Sequence, residues 1–176
     1  MIGTFLKRLF WLVVLMLLQV LVFNHVQILG YATPMLCVYL ILLFPLGTSR
    51  SQILLWGFAT GLLQDIFTNT PGMSAASLTL VALFQPDLLK LFASKDFVEN
   101  EDAPVPSARS MNWPPFLRYV FVAVLINQMA FYLLEAFSFF NPIELGINVG
   151  GGTLMSFLVI VAMEGVRKGY TKKQNP

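Results

Sequence analysis

Every lysine and arginine in this chain falls on one side of a set of six apolar runs, and that partition constrains the fold more than any motif does. The runs cover residues 4–23, 31–46, 51–66, 73–92, 119–140 and 150–166. On six alternating crossings, the 11 basic residues group as follows. Lys7 and Arg8 lie at the amino end and Arg50 follows the second run. Lys90, Lys95, Arg109 and Arg118 lie in or beside a long loop at 93–118, and Arg167, Lys168, Lys172 and Lys173 form the tail. The opposite loops, 24–30, 67–72 and 141–149, hold none. Because Lys and Arg are retained on the cytoplasmic face, both termini are expected inside, and an odd number of spans would break the partition.

Composition agrees with lipid as the main solvent. Of 176 residues, 57% are hydrophobic and 11% charged, more apolar surface than a soluble core of this size absorbs. The net charge of +2 is small and implies no nucleic acid. The expectation is therefore an all-α integral membrane protein forming a single membrane domain over 1–176, with a cytoplasmic loop at 93–118 and a basic cytoplasmic tail at 167–176.

Some runs admit two readings. The first resembles a secretory signal in its Lys7–Arg8 start, but no small-x-small cleavage site follows Phe23, so it reads as a retained helix. The second has Pro34 in its first turn, where a missing amide costs least. The second and third are short for a bilayer core of roughly 30 Å and read either as two crossings or as a re-entrant hairpin, which leaves downstream sidedness unchanged. Residues 93–118, acidic and then proline-rich up to Trp113, Pro114 and Pro115, read as a mobile loop.

Polar residues inside the runs are the candidates for function. Gly57, Gly61 and Asp65 follow one another at four-residue steps on one stripe of the third helix, and Pro71–Gly72 turns the chain after it. The glycines permit close backbone approach, either within the protein or to another chain. Asp65 must avoid lipid. It either caps the helix starting near Met73, whose first amides attract a carboxylate, or lines a watery outer pocket. Glu135 is expected at similar depth, with Asn127, Gln128 and Tyr132 nearby on the fifth helix. Two carboxylates in one cavity suit acid–base chemistry or cation binding, but no nucleophile or second histidine accompanies them, so no catalysis, metal or cofactor is expected.

The remaining features have plainer readings. His25 is a lone solvated imidazole and Cys37 a small apolar side chain. The glycines at 146 and 150–152 serve helix packing. Glu164 is a solvated or paired charge, and the basic inner rim of Arg167, Lys168, Lys172 and Lys173 meets cytoplasmic partners or anionic lipid.

The run G-F-A-T-G-L-L-Q-D-I-F-x-x-x-P-G, Gly57 to Gly72, resembles the signature of the bacterial rod shape-determining protein MreD family. Gly57, Gly61, Leu62, Asp65 and Gly72 carry the likeness. It extends more loosely over residues 4–170, while the long loop at 93–115 departs from the compact family pattern. The resemblance implies a non-enzymatic inner-membrane subunit of the cell-wall elongation machinery. Such a subunit binds the single-span protein MreC and links MreB filaments to peptidoglycan synthases, a penicillin-binding transpeptidase and RodA. It also implies a six-helix fold similar to the substrate-binding subunits of energy-coupling-factor transporters. The second expectation is accordingly a vitamin or small-solute transport subunit.

Overall fold

The computed structural model describes residues 2–19, 35–98, 105–136 and 142–173, and all regular structure among them is helical. In chain order the helices are α1 (Ile2–Leu18), α2 (Val38–Leu42), α3 (Arg50–Thr68), α4 (Met73–Phe92), the single turn α5 (Lys95–Val98), α6 (Trp113–Ala136) and α7 (Pro142–Lys173). Expectations that fall on His25, on Pro34 and on the side chains of Lys7, Arg8, Lys168, Lys172 and Lys173 lie outside what is described.

Among the described residues, three helical stretches are long and apolar enough to cross a membrane: Met73–Phe92, Trp113–Glu135 and Ile143–Arg167. They are the spans of a candidate multi-pass membrane protein. Helices α1 and α3 fall short of that mark, and α2, with five residues, reaches only about 8 Å along its axis.

The helices pack as a row, α3 on α4, α4 on α6 and α6 on α7, with α2 laid against α4 and α6. Helix α2 is wholly enclosed: Val38, Tyr39, Leu40, Ile41 and Leu42 are all buried. The apolar run at 31–46 suggested a longer helix. Among the described residues, 35–37 precede the helix and 43–49 follow it, with Pro45 and Gly47 (φ +90°) in the exit. So short a helix leaves much of its backbone without an internal partner, and in an apolar interior each such group costs several kcal/mol.

Side chains from the neighbouring helices supply those partners. Ahead of α2, the Leu36 amide donates to Gln19 Oε1 at 2.8 Å and the Met35 amide to Ser156 Oγ of α7 at 2.8 Å. Beyond it, Tyr119 Oη of α6 donates to the Leu42 carbonyl at 3.2 Å, and Gln85 Nε2 of α4 donates to the Phe44 carbonyl at 3.0 Å. The same Gln85 amide lies 3.1 Å from Tyr119 Oη. All four side chains are buried.

Three boundaries differ from the sequence reading. Helix α6 starts at Trp113 rather than 119, because Pro114 and Pro115 sit in its first turn, where no amide bond is lost. Helix α7 begins at Pro142 with Glu144 in its first turn, which suits the helix dipole, so 142–149 are helix and not loop; it also runs on to Lys173 through the start of the tail. Finally, 105–112 is folded and packed: Ala108 and Met111 are buried, and Ser107 and Ser110 exchange hydrogen bonds of 3.0 and 3.1 Å.

Replacing Gln85 tests the support of α2. Gln85→Leu removes the donor from the buried Phe44 carbonyl and is expected to cost about 1–3 kcal/mol, read as a lower thermal midpoint in detergent. Leucine at exposed Gln52 is the control and is expected to leave the midpoint unchanged.

Candidate functional site

The polar residues singled out in the third run meet in the α3–α4 hairpin. Asp65, 6% exposed, lies in the last turn of α3 and reaches across to the first turn of α4. Its Oδ1 accepts from the Ser74 amide at 2.8 Å and from Thr70 Oγ1 at 2.9 Å, and its Oδ2 accepts from the Ala75 amide at 3.0 Å. Both carboxylate oxygens are thus engaged with amides that α4 cannot satisfy internally, at the positive end of its dipole. Gly72, the residue before α4, offers no capping side chain, so a carboxylate from the preceding helix performs that task.

The backbone of the turn is shaped to bring the two helices together. Asn69 closes α3 in the left-handed region (φ 56°, ψ 37°), with its amide bonded to the Asp65 carbonyl. The Thr70 amide bonds to the same oxygen at 3.2 Å. Gly72 stands at φ +82°, where a side chain would be strained.

Above the turn the helices touch through backbone. A Cβ placed on Gly61 would lie 2.3 Å from Ala75 Cα, and one on Gly57 would lie 2.8 Å from Ala82 Cβ. Glycine at both positions permits a separation that any other residue would forbid.

The exposed side of this hairpin carries an apolar groove of about 440 Å³. Its floor is made of small residues, Gly72, Ala75, Ala76 and Thr79, and its walls of Leu54, Phe58, Leu62, Leu80 and Leu83. At the Leu54–Leu83 end an exposed ion pair, Arg50 Nη2 to Asp87 Oδ1 at 2.8 Å, bridges the two helices.

The second group of expected residues is divided. Asn127, Gln128 and Tyr132 are buried between α6, α7 and the segment ahead of α2. Gln128 Nε2 donates to Ser156 Oγ at 3.2 Å, and Asn127 Nδ2 points at Met35 Sδ at 3.2 Å. Glu135 is exposed. Asp65, by contrast, is buried and takes its hydrogen bonds from the start of α4 and from Thr70. Among the described residues there is no group of three His, Cys, Asp or Glu side chains able to hold a metal ion.

The α7 glycines divide as well. A Cβ on Gly152 would lie 2.6 Å from Gln128 Nε2, which makes this a packing position, whereas Gly146 and Gly150 face open space.

Glu164 is the functional-looking residue that the sequence reading misjudged. It is 2% exposed and not a surface charge. Its carboxylate accepts hydrogen bonds from Tyr39 Oη of α2, from the Ala108 amide at 3.0 Å and from Arg167 Nη1 at 3.4 Å. Arg167 Nη1 also lies 3.2 Å from Tyr39 Oη, so it belongs to this cluster rather than to a free basic rim. The signal available in sequence was the Glu164–Arg167 spacing, which looks local and conceals two distant partners.

No protein-family model, curated protein or solved structure matches this chain.

Substitutions separate the two bonds of the hairpin. Asp65→Ala strips the α4 amides of their acceptor and is expected to cost roughly 2–3 kcal/mol, and Asp65→Asn, which keeps one acceptor oxygen, about half that. Gly61→Ala forces the helices apart and is expected to lower the thermal midpoint at least as far as Asp65→Ala. Equal midpoints for Gly61→Ala and wild type would contradict the close approach.

Proposed function

We propose that this chain is a non-enzymatic scaffold subunit of the bacterial cell-wall elongation complex in the inner membrane. In this reading it binds an MreC-like single-span protein and, through it, links MreB filaments to peptidoglycan synthases. The observation that carries the reading is the hairpin itself. The residues behind the resemblance to the MreD family, Gly57, Gly61, Asp65 and Gly72, each have a defined task in one rigid α3–α4 unit. That unit offers an exposed apolar groove lined in part by small residues. Small residues let a neighbouring helix approach closely, and helix association in lipid rests on such packing because no hydrophobic force drives it. The Arg50–Asp87 pair at one end supplies both signs of charge for a polar segment flanking the incoming helix.

The transport reading needs an outer pocket built on Asp65 and Glu135. With Asp65 engaged by three donors within the hairpin and Glu135 exposed, the geometry favours the scaffold.

Co-purification tests this proposal. Ala76 is exposed on the groove floor, and Ala76→Trp fills the groove without touching the α3–α4 contact. Recovery of the MreC-like partner from membranes is expected to fall at least tenfold, while Leu158→Trp, on an exposed face of α7, leaves it unchanged. A chain that never brings down such a partner, and whose deletion leaves cell shape and wall insertion normal, would refute the function.

A further inference from the structure

We propose that residues 105–112 are a strap that closes one end of the bundle and is latched by Glu164. The strap has its own fold: the Met111 amide bonds to the Ser107 carbonyl at 3.0 Å, and Ser110 Oγ bonds to the Val105 carbonyl at 2.8 Å. Apart from its junction with α6, its other hydrogen bonds are likewise internal. Among the described residues, the bond tying it to a helix distant in sequence is that of the Ala108 amide to Glu164 Oε1. Ala108 and Met111 pack inward beside this bond, both essentially without solvent contact.

Glu164 is built to hold a latch rather than to stabilise by bulk. A carboxylate 2% exposed is tolerated only when its oxygens are paired, and one of them is paired with a main-chain amide of the strap. The other oxygen accepts from Tyr39 and Arg167, so the same side chain joins the strap to the enclosed α2 and to the end of α7. Lifting the strap breaks the Ala108 bond and uncovers Tyr39, Glu164 and Arg167 together.

Because the latch bond uses the main-chain amide, Ala108→Cys preserves it and reports its state. Cys37, the chain's single cysteine and buried in the same core, reports global opening in a separate protein. Full-length protein in detergent is reacted with a hydrophilic maleimide, with Ala108→Cys placed in a Cys37→Ala background. The Ala108→Cys thiol is expected to react slowly with Glu164 present and at least tenfold faster with Glu164→Leu. Glu164→Gln, which keeps a carbonyl for the Ala108 amide, is expected to fall between. The rate at Cys37 is expected to stay the same throughout. Two results would overturn the proposal: a rate at Ala108→Cys that Glu164→Leu leaves unchanged, or parallel acceleration at Cys37, which would make Glu164 a general stability residue and not a latch.

Discussion

A short enclosed helix, whose end groups take hydrogen-bond partners from the side chains of neighbouring segments, sets the terms for the rest of this structure. Backbone that leaves the helical path inside an apolar bundle must be paired by other groups, and irregular chain at membrane depth persists only where protein surrounds it. Helix α2 meets that condition through Gln19, Gln85, Tyr119 and Ser156, contributed by four different segments. These buried polar side chains therefore do more than fill space. Each fixes the position of one neighbour against the segment at the centre, so the row from α4 to α7 is registered through α2. Helix α3 is joined to that row chiefly through α4, by glycine contacts and a cap of their own.

Asp65 and Glu164 solve the same problem at different places. Each is an acidic residue removed from water, and each accepts main-chain amide hydrogens that would otherwise be orphaned: two at the start of α4, one in the 105–112 segment. Both carboxylates also take hydroxyl donors, Thr70 in one case and Tyr39 in the other. The difference is what they fasten. Asp65 joins two helices adjacent in sequence into a fixed unit, whereas Glu164 joins a connecting segment to helices remote from it. The first fastens the two helices that bear the groove, and the second ties the 105–112 segment to a polar cluster of Tyr39, Glu164 and Arg167.

How much of this could be read in the chain follows from the sequence distance of each partner. The α3–α4 hairpin was legible because its parts lie within a few turns: the four-residue glycine step, the carboxylate, and Pro71–Gly72 are local, and of the two readings of Asp65 the capping one placed it against the start of α4. The break of the second apolar run was not, since a run of Val, Leu and Ile looks the same whether it spans lipid or sits enclosed, and Gln85 and Ser156 that pay for it lie far along the chain. Glu164 was missed for the same reason. Its neighbour Arg167 suggested a surface pair, while Tyr39 and Ala108 are reached only through tertiary structure.

If another protein's membrane helix lies in the α3–α4 groove, as proposed, site-specific photocrosslinking in living cells reads it directly. A photoreactive residue at Phe58 or Leu83, both on the groove walls, is compared with one at Leu158 on the exposed face of α7. A discrete adduct with one single-span protein is expected from both groove positions and none from Leu158. Adducts with lipid alone at Phe58 and Leu83, or the same protein adduct from Leu158, would contradict it.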